Sequence, residues 1–305
     1  MEKLPKKELY KFIKENNLNV SSNAKGFLHI IIHLTIIITL IIFSYYMYLL
    51  GSFFLFGLAL VLYFFTFSFL GPAGISHELY HNNVFKTKIL NKVFYYNFMC
   101  LTLNNPGYFK NTHHLHHKHT LTHSDPKTLF KGSILGVQTL FWLTFDFIGF
   151  CRRIKILLLN SVGITVFNDP KSISNCMNGS RIIIIYQVLL FLLLTLLNLQ
   201  FMYIFLVCGN FCFTLPNKLL AFSQHYGHEK TVSLNNNFFE NTYSLKLPSF
   251  ISFLYANMNY HVEHHFVPSV PFYNLPKIQD FMIMKTNHDY TISLKRFFSF
   301  LLQKS

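Results

Sequence analysis

The 305-residue chain is 51% hydrophobic, only 12% charged, and carries a formal net charge of +14. Its apolar fraction lies above that of an average soluble domain and has the character of a helical membrane protein. The five cysteines are an odd number without metal-ligand spacing, which argues against a disulfide framework. Cys208 and Cys212 lie one turn apart in an apolar run, and Cys100, Cys151 and Cys176 are expected in a reducing cytosol.

Residues 1–26 form a basic arm with Lys3, Lys6, Lys7, Lys11 and Lys14. Such charge suits nucleic acid, but a Lys-rich flank ahead of a first membrane span accounts for it more simply, and no nucleic-acid partner is expected. The arm also lacks a signal-peptide pattern, because the apolar stretch after it is too long and runs straight into a second one. Phe27 to Leu50 and Ser52 to Leu70 contain no Asp, Glu, Lys or Arg. At about 1.5 Å per residue, about 20 such residues cross a hydrocarbon layer of about 30 Å. The spacing predicts a first hairpin over 27–70. His29 and His33 fall in its first turns, where an interfacial imidazole or a helix contact is the expected role.

The segment 71–180 is polar and rich in histidine, and it is expected to lie in the cytosol or at the interface. Within it Ile134 to Cys151 is apolar but contains Asp146, a costly residue at a bilayer centre. A crossing here would also put the later histidines on the opposite membrane face, so an interfacial or re-entrant helix is predicted. The uncharged run Ile182 to Asn217 predicts a second hairpin over 181–221, with helices at about 181–199 and 201–221. Residues 222–305 follow as a cytosolic C-terminal part. All 26 Lys and Arg avoid the hairpin tips near Gly51 and Asn198 to Phe201, so both termini and the central segment are expected in the cytosol. The expected fold is one all-α domain over 1–305. It has four transmembrane helices in two hairpins, interfacial helices and a cytosolic histidine-rich cap.

Eight of the sixteen histidines fall in three short boxes: His77 and His81 in HELYH, His113, His116 and His117 in HHLHH, and His261, His264 and His265 in HVEHH. Side chains at i and i+4 share a helix face, and the i, i+3, i+4 pattern is expected to gather three imidazoles. Eight nitrogens exceed the shell of one tetrahedral zinc, whereas two metal ions would use them, and imidazole suits iron. HELYH also fits a zinc protease, with Glu78 as general base, but that reading leaves both HxxHH boxes unexplained. In the two-metal reading Glu78 and Glu263 accept N–H bonds from the imidazoles. A redox-active pair beside a bilayer favours oxidation of a lipid over hydrolysis. No GxGxxG fingerprint is present, so electrons are expected from an external carrier. The basic cytosolic face would attract an acidic ferredoxin or cytochrome b5, although lipid headgroups would use the same charge.

The order HxxxH, HxxHH, HxxHH, with hairpins between the boxes, resembles the membrane fatty acid desaturase and hydroxylase superfamily. NMNYHVEHHFVPSVPFYNLPKIQ, residues 257–279, is similar to that family's final box and the Pro-containing stretch after it. HHKHTLTHSDP resembles the second box with its trailing Asp-Pro, which adds Asp125 as a candidate partner of a ligand. SQHYG resembles the additional histidine after the last membrane helix, here His225. The resemblance implies a cytosol-facing non-haem di-iron centre held by His77, His81, His113, His116, His117, His225, His261, His264 and His265. It also implies O2 as co-substrate, an electron-transfer partner, and desaturation or hydroxylation of lipids. His114, His119 and His123 crowd the second box, and secondary or surface roles are expected for them. His228 and His288 stand apart from the boxes. Carotenoid ketolases usually carry Asp where this chain has Glu78, which favours a fatty acyl substrate. The expected reaction is therefore acyl desaturation, with a lipid or carotenoid hydroxylase or ketolase as the alternative.

Overall fold

A computed structural model describes residues 6–120, 122, 125, 141, 144–225, 239, 242–287 and 289–303. The described chain is mostly helical. Helix α1, Lys6–Glu15, occupies the basic arm and docks its apolar face, Leu9 and Ile13, against a later helix, Leu275–Thr286. There Phe12 stacks on Phe281 at 4.2 Å, and Lys285 pairs with Glu8 at 2.7 Å.

Helices α2, Asn23–Leu49, and α3, Phe53–Ser68, pack along each other across the turn at Leu50–Ser52. Ser22 starts α2 by accepting the Lys25 amide, and Gly51 turns the chain at φ 70°, a left-handed conformation glycine adopts at no steric cost. His33 Nε2 lies 3.0 Å from the Thr66 carbonyl and donates to it, tying α2 to α3. This is the helix contact expected for that histidine.

The short helix α4, Ile75–Tyr80, carries HELYH and leads through α5, Lys88–Leu101, to α6, Pro106–His119, which carries HHLHH. Asn105 caps α6 by accepting the amides of Gly107 and Tyr108 at 2.9 and 3.0 Å, and Pro106 occupies the first turn where no amide partner is needed. Much of the ambiguous stretch 134–151, including 134–140, lies outside the described residues. Beyond it, α7 runs over Phe147–Ser161. Asp146 caps this helix through the Gly149 amide at 3.1 Å and pairs with Lys218 at 2.8 Å, which gives its charge two partners.

The second apolar run departs from the expected pair of continuous spans. Helix α8 begins at Pro170, ahead of 181, because Asp169 accepts the Ser172 amide at 2.8 Å, and it continues to Leu196. The remainder is two nine-residue pieces, α9, Gln200–Cys208, and α10, Leu215–Ser223. Residues 209–214 between them find partners for their backbone in the segment before α7 and in α7 itself. Asp146 N donates to Phe211 O at 2.8 Å, Thr214 N donates to Thr144 O at 3.1 Å, and the Arg153 guanidinium donates to Asn210 O. Pro216 then restarts the helix in its first turn. The break thus has several of its hydrogen bonds met from outside the helix, which periodicity alone does not reveal.

The C-terminal part departs from all-α. Strand β1, Ser244–Lys246, pairs in parallel with β2, Thr291–Ser293, in the register Leu245 to Ile292. Between them lie α11, Ser249–Leu254, α12, His261–Phe266, which carries HVEHH, and α13, Leu275–Thr286; α14, Leu294–Gln303, follows β2. One buried apolar cluster draws on residues from Leu9 to Tyr290.

Two helices, α2 and α8, are 27 residues each and apolar enough to cross a membrane; α3 is apolar but shorter, at 16 residues. Their outer faces are apolar and bare, with Phe54 80% and Leu196 81% exposed. Surface of this kind calls for a non-aqueous surrounding.

Candidate metal centre

Three helices converge on one buried locus: α4 from the first box, α6 from the second and α12 from the third, with His225 arriving just after α10. The nine histidines singled out in the sequence form two groups there. His77, His81, His113, His117 and His264 make one, and His116, His225, His261 and His265 make the other, with the ligand atoms of each group within 4.8 Å of one another. All four members of the second group are buried.

The HxxHH boxes do not each gather three imidazoles at one point, as the spacing suggested. In the second box His113 and His117 join the first group while His116 joins the second; in the third box His261 and His265 join the second group while His264 joins the first. Helical geometry gives the reason. At 3.6 residues per turn, about 100° per residue, i and i+4 diverge by only about 40°, whereas i+3 lies about 100° from i+4. Each box therefore presents a pair to one point and a single ring to the other, and α6 and α12 do so reciprocally.

Within the groups the ring nitrogens face one another. His81 Nε2 is 3.0 Å from His113 Nε2, and His117 Nε2 is 3.3 Å from His264 Nε2. In the second group His261 Nε2 lies 3.2 Å from the Nε2 atoms of both His225 and His265. Nitrogens held at about 2.1 Å from one ion and at right angles to each other are separated by about 3.0 Å, so this spacing suits a shared metal. His77 Nε2 is fully buried with no hydrogen-bond partner among the described residues. Burial and the neighbouring imidazoles hold His77 and His265 well below the usual histidine range, and burial followed by His264 takes His81 down to about 3. Neutral imidazole is the form that binds metal. The donor set therefore fits two metal ions.

Carboxylates orient several rings from behind. Glu78 is fully buried, and its Oε1 lies 3.2 Å from the Nδ1 atoms of both His77 and His264. Burial lifts its carboxyl to about 7, with His81 pulling the other way. Asp125, also buried, faces His116 Nδ1 at 3.0 and 3.1 Å. A carboxylate on the outer nitrogen fixes the tautomer and leaves Nε2 for a metal.

Glu263 behaves differently from expectation. Its contacts are not imidazoles: Oε2 accepts from Ser244 Oγ at 2.5 Å, and Oε1 accepts from Tyr290 OH at 2.6 Å and Gln279 Nε2 at 2.8 Å. It stands about 200° around α12 from His261 and His265, so it points away from the histidine groups and onto β1, β2 and α13. Burial raises its carboxyl while these three donors pull it down. Ser244, Gln279 and Tyr290 were not visible in the sequence as site residues, because no motif marks them. The same holds for Gln224, which donates to Tyr255 OH and Met258 O, both at 2.8 Å, and so anchors the turn that presents His225.

Of the crowding histidines, His114 is exposed and His119 half-buried, and neither joins a group; His123, His228 and His288 lie outside the described residues. HELYH contributes its two histidines to a five-histidine group, a larger donor set than the three ligands of a zinc hydrolase.

Buried histidine groups shared among three helices, on a helical frame with two helices long and apolar enough to cross a membrane, define a helical protein with a candidate site for two metal ions. Residues 51–293 match the family described as fatty acid desaturase, and the chain belongs to that family. No curated protein matches it. The family is one of oxidoreductases known for di-iron centres, and it implies a lipid substrate in a membrane setting.

Proposed function

We propose that the protein introduces a double bond into a fatty acyl chain, with O2 as co-substrate and two electrons from an external ferredoxin-like or cytochrome b5-like donor. The single observation that carries this reading is the division of nine histidines from three boxes and one added position into two adjacent groups. In this reading His77, His81, His113, His117 and His264 hold one iron, and His116, His225, His261 and His265 hold the other. Bound iron would supply the oxidant needed to break an unactivated C–H bond.

The protein's own residues do the rest. Glu78 keeps the outer nitrogen of His77 protonated and its inner nitrogen facing the metal, and sets its negative charge beside the His264 ring; Asp125 fixes His116 as Glu78 fixes His77. Glu263 clamps α12 to the β pair, so that His261, His264 and His265 stay in register.

The proposed topology is a single domain with four crossings in two hairpins, α2 with α3 and α8 with the broken α9–α10 pair. Both termini and the metal centre face the cytosol. The distribution of Lys and Arg away from the tips supports it.

Purified protein should contain about two irons per chain, and product mass should fall by two hydrogens per turnover. Gain of one oxygen would instead assign a hydroxylase. Activity with zinc alone would overturn both, since zinc has no accessible redox change.

A further inference from the structure

We propose that a recess beside the start of α2 binds the headgroup of a bilayer glycerophospholipid that presents both a phosphate oxygen and an N–H or O–H donor. The recess is a cavity of about 230 Å³ between α2 and the segments flanking the third histidine box, with Lys25 and Ser249 among the residues at its rim and His29 inside. It is separate from the nine histidines of the metal centre, and its occupancy does not depend on the reaction.

His29 is 3% exposed, and neither ring nitrogen has a hydrogen-bond partner among the described residues. The ring sits against Phe253 at 4.4 Å and Phe272 at 4.8 Å, aromatic walls that offer it no acceptor. A buried polar group in this state needs a partner from outside the protein. Neutral imidazole has one donor and one acceptor, so a partner that satisfies both must accept one hydrogen bond and donate another.

The rim adds a cation. Lys25 is exposed and makes no ion pair among the described residues; its ammonium lies 4.9 Å from the centre of the Tyr273 ring. Tyr273 is itself fixed, since its hydroxyl accepts from the Ser22 amide at 2.7 Å. Among the described residues, no acidic side chain lines the recess. The site therefore favours an oxyanion, with aromatic and aliphatic surface alongside it.

Depth selects the source of that oxyanion. Lys25 is the last charged residue before Glu78, so it marks the polar edge of the uncharged stretch. Immediately after it, Leu28 and Ile31 present bare apolar surface, 60% and 58% exposed. A lipid whose phosphate meets Lys25 and His29 would run its acyl chains down this face. Ethanolamine or glycerol in the headgroup supplies the donor for the second imidazole nitrogen, and choline, with no N–H or O–H, does not.

The test is native mass spectrometry of the full chain in detergent with dioleoyl phosphatidylethanolamine, phosphatidylglycerol or phosphatidylcholine, and separately with stearate. The first two lipids should be retained about ten-fold more strongly than phosphatidylcholine, a difference of about 1.4 kcal/mol. Lys25→Gln, at the exposed rim, should cut their retention by a similar factor, and His29→Phe, with its thermal midpoint checked against wild type, should abolish the preference. Equal retention of the three lipids, or no change in Lys25→Gln, would overturn the proposal. Displacement of phosphatidylethanolamine from this site by stearate would assign the recess to the acyl substrate instead, and would equally overturn it.

Discussion

Gly107, in the first turn of α6, lies where α6 crosses α8. A Cβ built on it would stand 2.0 Å from the Asn175 carbonyl oxygen, 2.3 Å from its carbon and 2.9 Å from Cys176 N. These are backbone atoms of α8, so no side chain can swing aside. Ordinary contact begins at 3.4 Å, so Gly107→Ala must separate the helices locally by more than an ångström. The same crossing is tied by Asn105 Nδ2, which donates to Cys176 O at 2.8 Å and Ser180 Oγ at 2.7 Å, and separation would stretch both bonds. Overpacking of this kind costs about 1–3 kcal/mol or more. The consequence for the metal centre is larger, because α6 supplies His113, His116 and His117, and metal–ligand distances tolerate only about 0.2 Å of error. The Gly107→Ala protein should show a lowered thermal midpoint and contain less than half the wild-type iron by elemental analysis, with turnover reduced accordingly. Gly57→Ala in α3 is the control, since nothing lies within 4 Å of its added methyl; it should keep both properties. Wild-type iron content in Gly107→Ala would refute the reasoning that this crossing sets the second box.

Adjacent histidines in the second box should separate the two metals: His117→Ala should weaken the first group and His116→Ala the second, which iron stoichiometry combined with Mössbauer spectra of each variant can resolve, and identical spectra would count against the division. Glu78→Gln should lower metal affinity by about 10–100-fold through His77 and His264, and Asp125→Asn should do so through His116; chelator competition measures both. Asp146→Ala removes the α7 cap and the Lys218 partner together and should destabilise by about 1–2 kcal/mol, read as a lower midpoint in thermal unfolding, with Asp146→Asn recovering part of the loss through the cap alone. For the proposed topology, cysteines introduced at Lys86 and Lys171 of a cysteine-free chain should be labelled from the cytosol and one at Ser52 from the opposite side; labelling of Lys86 and Lys171 from different sides would separate the first box from the third.

The sequence by itself determined which residues could serve a metal and which segments avoid water. Histidine boxes are local patterns: each sits on a single short helix, and its chemistry can be read from residue type and spacing alone. The uncharged runs ending near Leu50 and Leu70 are equally local, and the helices found there stop within a few residues of those points. What depended on contacts between distant segments was decided only in three dimensions. Spacing within HHLHH placed three imidazoles on one helix, but their division between two groups required the facing positions of α4 and α12. Glu263 looked equivalent to Glu78 because both neighbour a histidine in sequence; rotation around α12 sends Glu263 to Ser244, Gln279 and Tyr290 instead. The break at residues 209–214 was hidden within an uninterrupted apolar run, because its backbone partners, Thr144, Asp146 and Arg153, come from more than fifty residues earlier. Hydropathy records whether a residue avoids water, and it carries no information on which remote backbone will accept or donate the hydrogen bonds that a helix gives up.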